Sequence, residues 1–332
     1  MTERRLCARC VLPDSPPDIT LDSEGVCRLC REHEKQKSRD RPPLLETDFT
    51  KILEQHRGKH EFDCLVMCSG GKDSTAALYY AVKRYKLNVL AFTFDHGFET
   101  EDAMANVRKA VAKLDVPFVT YRSTFMHGMF ARLLQQDSPA VICHVCAIWY
   151  MGLTYRMAER FDAPIIIAGW TKGQMGAQPV MSKCACSTSA PEYASMGRAT
   201  KEFLAGLKND PRYKDFPPSM EEAMARAQKR RKCLVLSPHW FLPYSAEEYV
   251  EVIRKELVWE PPRLSYPWGT TNCLLNFLSV QRSIEKFGYT HYHVEMSRLI
   301  REGYMTRQEA LDALKADFDP SLLDRIRKEL NP

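Results

Sequence analysis

No apolar run in this chain approaches the 18 residues that a membrane-spanning helix needs, which argues against an integral helical membrane protein. The opening Met1-Thr2-Glu3-Arg4-Arg5-Leu6-Cys7 has no apolar segment behind its charges. It does not read as a secretory signal, and the expected compartment is the cytoplasm, with no membrane partner. Repeats and low-complexity tracts are missing too, so nothing suggests a solenoid or a disordered tail. A strong charge excess is also absent. The net charge of +5 permits an anionic partner such as RNA or a nucleotide-sugar without demanding one. What remains is ordinary globular composition: 332 residues, 45% hydrophobic and 27% charged, enough for one large α/β domain with appendages or for two domains.

Cysteine is the one residue present in excess. Twelve of them in a chain read as intracellular point to metal ligation or sulfur chemistry rather than to disulfides. Cys7-x-x-Cys10 and Cys27-x-x-Cys30 are two close pairs separated by a Pro/Asp-rich loop, the spacing of a structural zinc site built from two knuckles. Such a knuckle staples a domain too short to bury its own core, and four thiolates leave no open position for catalysis. A second set is Cys143-His144-Val145-Cys146 with the distant Cys273. Three thiolates on a [4Fe–4S] cluster leave one iron open; the alternatives are a buried packing role for Cys273 and a second zinc site or redox pair at 143/146. Cys184 and Cys186 sit in a loop-like run and are weaker ligand candidates, while Cys64 and Cys68 read as packing.

Ser69-Gly70-Gly71-Lys72-Asp73-Ser74 is the most telling stretch. The apolar run 62–68 before it reads as a buried strand, and 74–85 after it as a helix. A strand that turns through two glycines into a helix offers backbone N–H groups and a positive helix end to an anion. Ser69 and Ser74 add hydroxyls, Lys72 can neutralise phosphate, and Asp73 can hold Mg²⁺ or cap the helix. The spacing is not that of the kinase and GTPase P-loop. It resembles the PP-loop (Ser-Gly-Gly-x-Asp-Ser) of the ATP pyrophosphatases. That resemblance implies an enzyme that splits ATP between its α and β phosphates and adenylates a substrate oxygen.

Beyond the loop, strand and helix alternate: strands at 88–94, 117–121 and 164–168, helices at 99–114, about 124–135 and 145–161. The alternation predicts an α/β fold with a doubly wound parallel sheet and its ligand at the carboxyl ends of the strands. Asp95-His96-Gly97 and Gly169 fall at two such ends; the resemblance implies contacts of Asp95 with adenosine or ribose and close approach of the nucleotide at Gly169. The expected organisation is a zinc knuckle (1–35), a linker and helix (36–59), the ATP-binding α/β domain (60–174), a helical insertion (175–232), and the end of the sheet domain with a helical C-terminal region (233–332). The insertion ends in Lys229-Arg230-Arg231-Lys232, read as a solvated helix end more readily than as a nucleic-acid patch. Thr306-Arg307-Gln308-Glu309 reads as a capping box.

Two branches of the family compete. Cys7 to Asp14, Asp22 to Cys30 and the tail 297–311 resemble bacterial N-acetyl sugar amidotransferases, which take ammonia from a partner glutaminase; the middle of the chain departs from them. The order of knuckle, PP-loop, central Cys-x-x-Cys and later third cysteine resembles the tRNA 2-thiolation enzymes, without the second zinc knuckle some of them carry. Three thiolates have a use in delivering sulfide, through a cluster or as a persulfide on Cys146 or Cys273, and none in delivering ammonia. The expected activity is therefore sulfur transfer to a small-molecule or tRNA acceptor, with a sulfur donor as partner, a homodimer as the assembly, and Lys72, Asp73, Cys143, Cys146 and Cys273 as the reacting set. The reading from another class is a zinc-knuckle nucleic-acid-binding or adaptor protein with a degenerate loop, against which the intact hexapeptide argues.

Overall fold

The computed structural model describes residues 4–36, 44–175, 191–243, 245–270 and 273–330. Five parallel strands form its sheet: β1 (Cys64–Met67), β2 (Val89–Asp95), β3 (Phe118–Arg122), β4 (Ile165–Ile167) and β5 (Leu234–Leu236), in the order β3-β2-β1-β4-β5. Leu65 faces Leu90 on one side and Ile166 on the other, which fixes the register across the centre. β1, β2 and β4 are covered on both faces, so they read as continuous apolar runs rather than alternating ones. The chain runs outward from β1 to β3, then crosses back to β4. The loops after β1 and β4 therefore diverge and open a crevice between them, where ligands of doubly wound sheets bind.

The helices in chain order are α1 (Arg28–Gln36), α2 (Glu46–Glu54), α3 (Lys72–Tyr79), α4 (Glu101–Leu114), α5 (Phe125–Gln135), α6 (Ile142–Arg160), α7 (Lys172–Met175), α8 (Ala194–Gly206), α9 (Met220–Arg230), α10 (Pro238–Phe241), α11 (Ala246–Leu257), α12 (Leu275–Phe287), α13 (His291–Arg301), α14 (Arg307–Ala313) and α15 (Pro320–Leu330). The capping box at α14 forms as its sequence predicts: Glu309 N–H donates to Thr306 Oγ1, and Thr306 N–H to Glu309 Oε2. Two expectations are corrected. The helix expected over 74–85 starts earlier and widens at Tyr80–Arg84 into a π-turn, closed by Tyr85 N–H on Tyr80 O; the extra width turns the Tyr85 ring inward, edge-on to Phe49. α6 starts at Ile142 rather than 145, because Ile142, Val145 and Ile148 are all buried at helical spacing. Cys143 and Cys146 thus lie on the helix and not in front of it.

The N-terminal knuckle does not stand alone. Its Leu12, Ile19 and Val26 share a second core with Val141, Tyr193, Met196, Tyr289 and Val294. Cys184 and Cys186 lie outside the described residues. Among the described residues no helix is long and apolar enough to cross a membrane.

Candidate active site

The 69–74 turn closes β1 and opens α3. Gly70 sits at φ +81°, and a Cβ there would stand 2.1 Å from the Ala103 carbonyl oxygen, so only glycine fits. Its carbonyl accepts from Trp259 Nε1 (2.9 Å) and Asn106 Nδ2 (3.3 Å), which pins the turn from outside. Ser74 Oγ accepts the Ser69 N–H and meets Ser69 Oγ at 2.9 Å. Lys72 N–H donates to Gly269 O. Among the described residues, the N–H groups of Gly70, Gly71, Asp73 and Ser74 donate to no protein acceptor. Four unspent donors around a helix N-terminus form an anion cradle.

Asp73 is the electrostatic centre of the loop. Both its carboxylate oxygens lie 2.8 Å from Lys72 Nζ, and Tyr249 OH donates to Oδ1. His239 Nε2 lies 2.9 Å from the Asp73 carbonyl, which can only accept, so that nitrogen carries the proton. Burial works to raise the Asp73 pKa, yet the Lys72 charge and these bonds outweigh it and hold the carboxyl below its usual range. Lys72 also lines an open cavity of about 670 Å³ with Val250, Arg254 and the exposed Trp268. Gly169 does end β4 as expected, but the close approach it permits is of protein: a Cβ there would stand 2.5 Å from Ser74 N and Cα. Asp95 ends β2, where it accepts from Gly97 N–H and faces Arg122 at 3.4 Å.

A buried carboxyl that sequence reading missed, Glu295 on α13, adjoins the same loop. It accepts from Thr171 Oγ1 at 3.1 Å. Burial first, then the Asp73 charge, push it up to about 7 from an ordinary 4.5. A carboxyl raised on folding contributes stability below its unfolded pKa and loses it as pH climbs through the folded one. Each unit corresponds to about 1.4 kcal/mol, so roughly 3 kcal/mol is at stake between pH 4 and 8. Glu295→Gln should therefore match the parent's melting temperature at pH 4 and exceed it at pH 8, measured without nucleotide. Equal melting at both pH values would show that Glu295 is ionised at neutral pH.

The structure brings the third cysteine to the other two. Cys273 pairs by a β-bridge with Glu99, and Leu274 N–H donates to Phe98 O. α12, which follows, packs on α6; Ser279 Oγ accepts the Cys143 N–H, and Cys143 Sγ lies 3.7 Å from Asn276 Oδ1. Burial, then the charges of Glu99, Cys146 and Cys143, push the Cys273 thiol well up; Cys146 is raised by burial, Glu99 and Cys143. Gly269, four residues before Cys273, touches the PP-loop, so the two sites lie within about 14 Å of one another.

Among the described residues, two donor sets lie within 4.8 Å of one another: Cys7, Cys10, Cys27 and Cys30, and His96, Glu99 and Cys273. In the first, Sγ atoms approach to 4.0 Å (Cys7–Cys30) and 3.8 Å (Cys10–Cys27). A tetrahedral ion with metal–sulfur bonds near 2.3 Å has an edge of about 3.8 Å, so these four thiols fit one ion. Hydrogen bonds from Cys27 and Cys30 hold Cys10 down to about 7, while bonding to Cys10 pushes Cys27 and Cys30 up. A central cation removes that conflict between buried charges. The sulfurs of Cys143, Cys146 and Cys273 do not all lie within 4.8 Å of one another, so they do not form a compact set for one such ion.

His96 and Glu99 complete this second centre, and Glu99 was invisible to sequence reading. His96 Nε2 lies 3.2 Å from Glu99 Oε1 and 3.5 Å from Cys273 Sγ. Its Nδ1 accepts the Phe98 N–H, so the neutral ring carries its proton on Nε2. A metal-bound imidazole needs the opposite arrangement, with its outer nitrogen donating. His96 is therefore a hydrogen-bond donor to this centre and not a ligand in it. Burial lowers its pKa to about 4, and burial with the Asp95 charge raises Glu99 to about 8.

Residues 63–145 match the family model "Queuosine biosynthesis protein QueC", and residues 272–331 match "LPS biosynthesis protein WbpG-like, C-terminal domain". An uncharacterized protein of Methanocaldococcus jannaschii is 22% identical over 278 residues, covering 84% of this chain and 79% of that one. Among solved structures, the U34-tRNA thiolase NcsA from Methanococcus maripaludis with its [4Fe-4S] cluster overlaps with a TM-score of 0.39 at 14% identity, over 91% of this chain and 88% of that one. NMN synthetase from Francisella tularensis overlaps with 0.40 at 14% identity, over 88% and 98%. Overlaps this loose carry no activity across. The chain thus carries a QueC family-model domain over residues 63–145, which holds the anion cradle, and a WbpG-like C-terminal domain over residues 272–331.

Proposed function

We propose that this chain is an ATP-dependent sulfur transferase. An acceptor carbonyl or amide oxygen attacks the α-phosphorus of ATP, pyrophosphate leaves, and a sulfur nucleophile then displaces AMP. The observation that carries this reading is the convergence of Cys143, Cys146 and Cys273 on one centre tied to the PP-loop through Gly269. The four free amides and Lys72 stabilise charge on the phosphates. Asp73 and Glu295 would supply oxygen donors for Mg²⁺, and the Cys7–Cys30 set would hold Zn²⁺. Cys143, Cys146 and Cys273 would hold a [4Fe–4S] cluster, which supplies an open iron for sulfide when bound. His96 orients Cys273 and Glu99, and the raised thiol pKa values disfavour free thiolate chemistry at this centre.

Oxygen-free purification tests this. The protein should be brown with about four irons per chain, and either Cys143→Ala or Cys273→Ala should bleach it while Cys64→Ala does not. A colourless preparation whose only metal belongs to the four-cysteine site would defeat the cluster. One observation favours a second reading: residues 272–331 match a protein of LPS biosynthesis, and this tail resembles the N-acetyl sugar amidotransferases. In that reading the acceptor is a sugar and the incoming atom is ammonia-derived nitrogen.

A further inference from the structure

Away from the PP-loop, α6 and α9 enclose a cavity of about 190 Å³. Trp149, Gly152, Arg156 and Glu159 recur at three- and four-residue steps and share one face of α6; Ala223, Arg226, Ala227 and Arg230 do the same on α9. Gly152 and the two alanines leave the space, and the arginines line it. Cys233, the residue before β5, also lines it, which puts the cavity at the amino ends of the strands, opposite the PP-loop. Arg156 lies ten residues along α6 from Cys146, about 15 Å by helix rise.

The charges are unevenly paired, although the Asp215 carboxylate also borders the cavity. Arg226 pairs with Glu222 at 2.9 Å, Arg230 with Glu159 at 2.7 Å and Arg231 with Asp162 at 2.5 Å. The run Arg230-Arg231, read from sequence as a solvated helix end, is thus ion-paired at the rim. Arg156 has no acidic partner and no hydrogen bond among the described residues; its guanidinium lies 5.0 Å over the Trp149 ring. Trp149 also stacks with Phe125 and Phe216, and its indole N–H is buried without an acceptor. Burial lowers the Arg156 pKa, the mark of a cation held where no anion yet compensates it. Arg156 thus borders the cavity without an acidic or hydrogen-bonding partner among the described residues. The volume exceeds the roughly 30 Å³ of one water several-fold.

We propose that this cavity is a phosphate-binding site, separate from the ATP cradle, in which Arg156 is the principal ligand and Arg226 assists. Arginine's planar fork matches phosphate oxygens, and its aromatic seat keeps it in place. The phosphate belongs either to an RNA backbone or to a small phosphorylated compound.

Inorganic phosphate is titrated into the full chain, with tryptophan fluorescence as the readout. Binding should saturate, persist in Lys72→Ala, and weaken by about tenfold or more in Arg156→Gln, a loss equivalent to about 1.4 kcal/mol. Arg226→Gln, at a more exposed position, should weaken it less and serves should Arg156→Gln not fold. A response abolished by Lys72→Ala, or unchanged in both arginine variants, assigns the phosphate to the PP-loop and overturns the proposal. Bulk tRNA separates the sources: weaker, salt-sensitive binding by Arg156→Gln marks an RNA phosphate. Unchanged tRNA binding alongside lost phosphate binding marks a small phosphorylated ligand. Neither result depends on whether sulfur is transferred.

Discussion

Asp73→Asn should lower ATP cleavage to AMP and pyrophosphate by about a hundred- to a thousandfold, the scale of losing one preorganised electrostatic contact to a reacting phosphate. The substitution keeps the shape and removes the charge. Both carboxylate oxygens hold Lys72 Nζ at 2.8 Å, so the ammonium loses the partner that aims it at the loop. The same change removes one of the two oxygen donors proposed for Mg²⁺, leaving Glu295 alone. Because the Asp73 carboxyl is held below its usual range, the parent enzyme should not lose this contact until the pH falls well into the acid range. The knuckle lies elsewhere, on the second core, so its metal content should not change. Pyrophosphate release measured beside metal analysis separates a chemical defect from misfolding. Turnover equal to the parent's would remove the 69–74 turn from the active site altogether.

The sheet was legible because its strands are buried on both faces, and Ile165-Ile166-Ile167 cannot be anything but interior. The cradle was legible because an anion-binding turn needs its residues consecutively. The rest of the active site has no such local mark. Tyr249 and His239 reach Asp73 from 176 and 166 residues away, and each looks in sequence like an ordinary core aromatic. Glu295 lies on an amphipathic helix whose polar residues all resemble surface positions until the fold buries this one. Glu99 stands three residues from His96, and only the bridge to Cys273 reveals that the two share a centre. The convergence of Cys273 with Cys143 and Cys146 was expected from order alone. The structure adds its cause, the pairing of 273–274 with 98–99 and the packing of α12 on α6. The Arg156 face of α6 shows helical spacing in sequence, but that pattern does not tell a lined cavity from a solvated stripe.

Loss of the metal proposed for the knuckle should unfasten the two ends of the chain before it melts the sheet. Arg307 Nε donates to the carbonyls of Cys7 (3.3 Å) and Cys10 (3.0 Å) across some 300 residues of sequence. Val11 N–H donates to Ser297 Oγ, and Asp18 accepts from both Ser195 and Tyr289. These bonds require the knuckle backbone in one conformation, which a run this short cannot hold by apolar burial alone. Metal binding to four thiolates contributes about 10–16 kcal/mol in isolated zinc-finger peptides, comparable with the whole stability of a domain. Cys10→Ser, or chelation of the parent, should therefore lower the melting temperature by roughly 15–20 °C. Hydrogen exchange should show protection lost first in residues 4–36 and along α13 and α14, while β1, β2 and β4 keep theirs. Arg307→Ala should give the same regional pattern more weakly with the metal still bound, because it cuts the clamp and leaves the thiolates untouched. If chelation leaves exchange at α13 unchanged, the knuckle and the C-terminal helices are merely neighbours, and the four cysteines serve a partner rather than this fold.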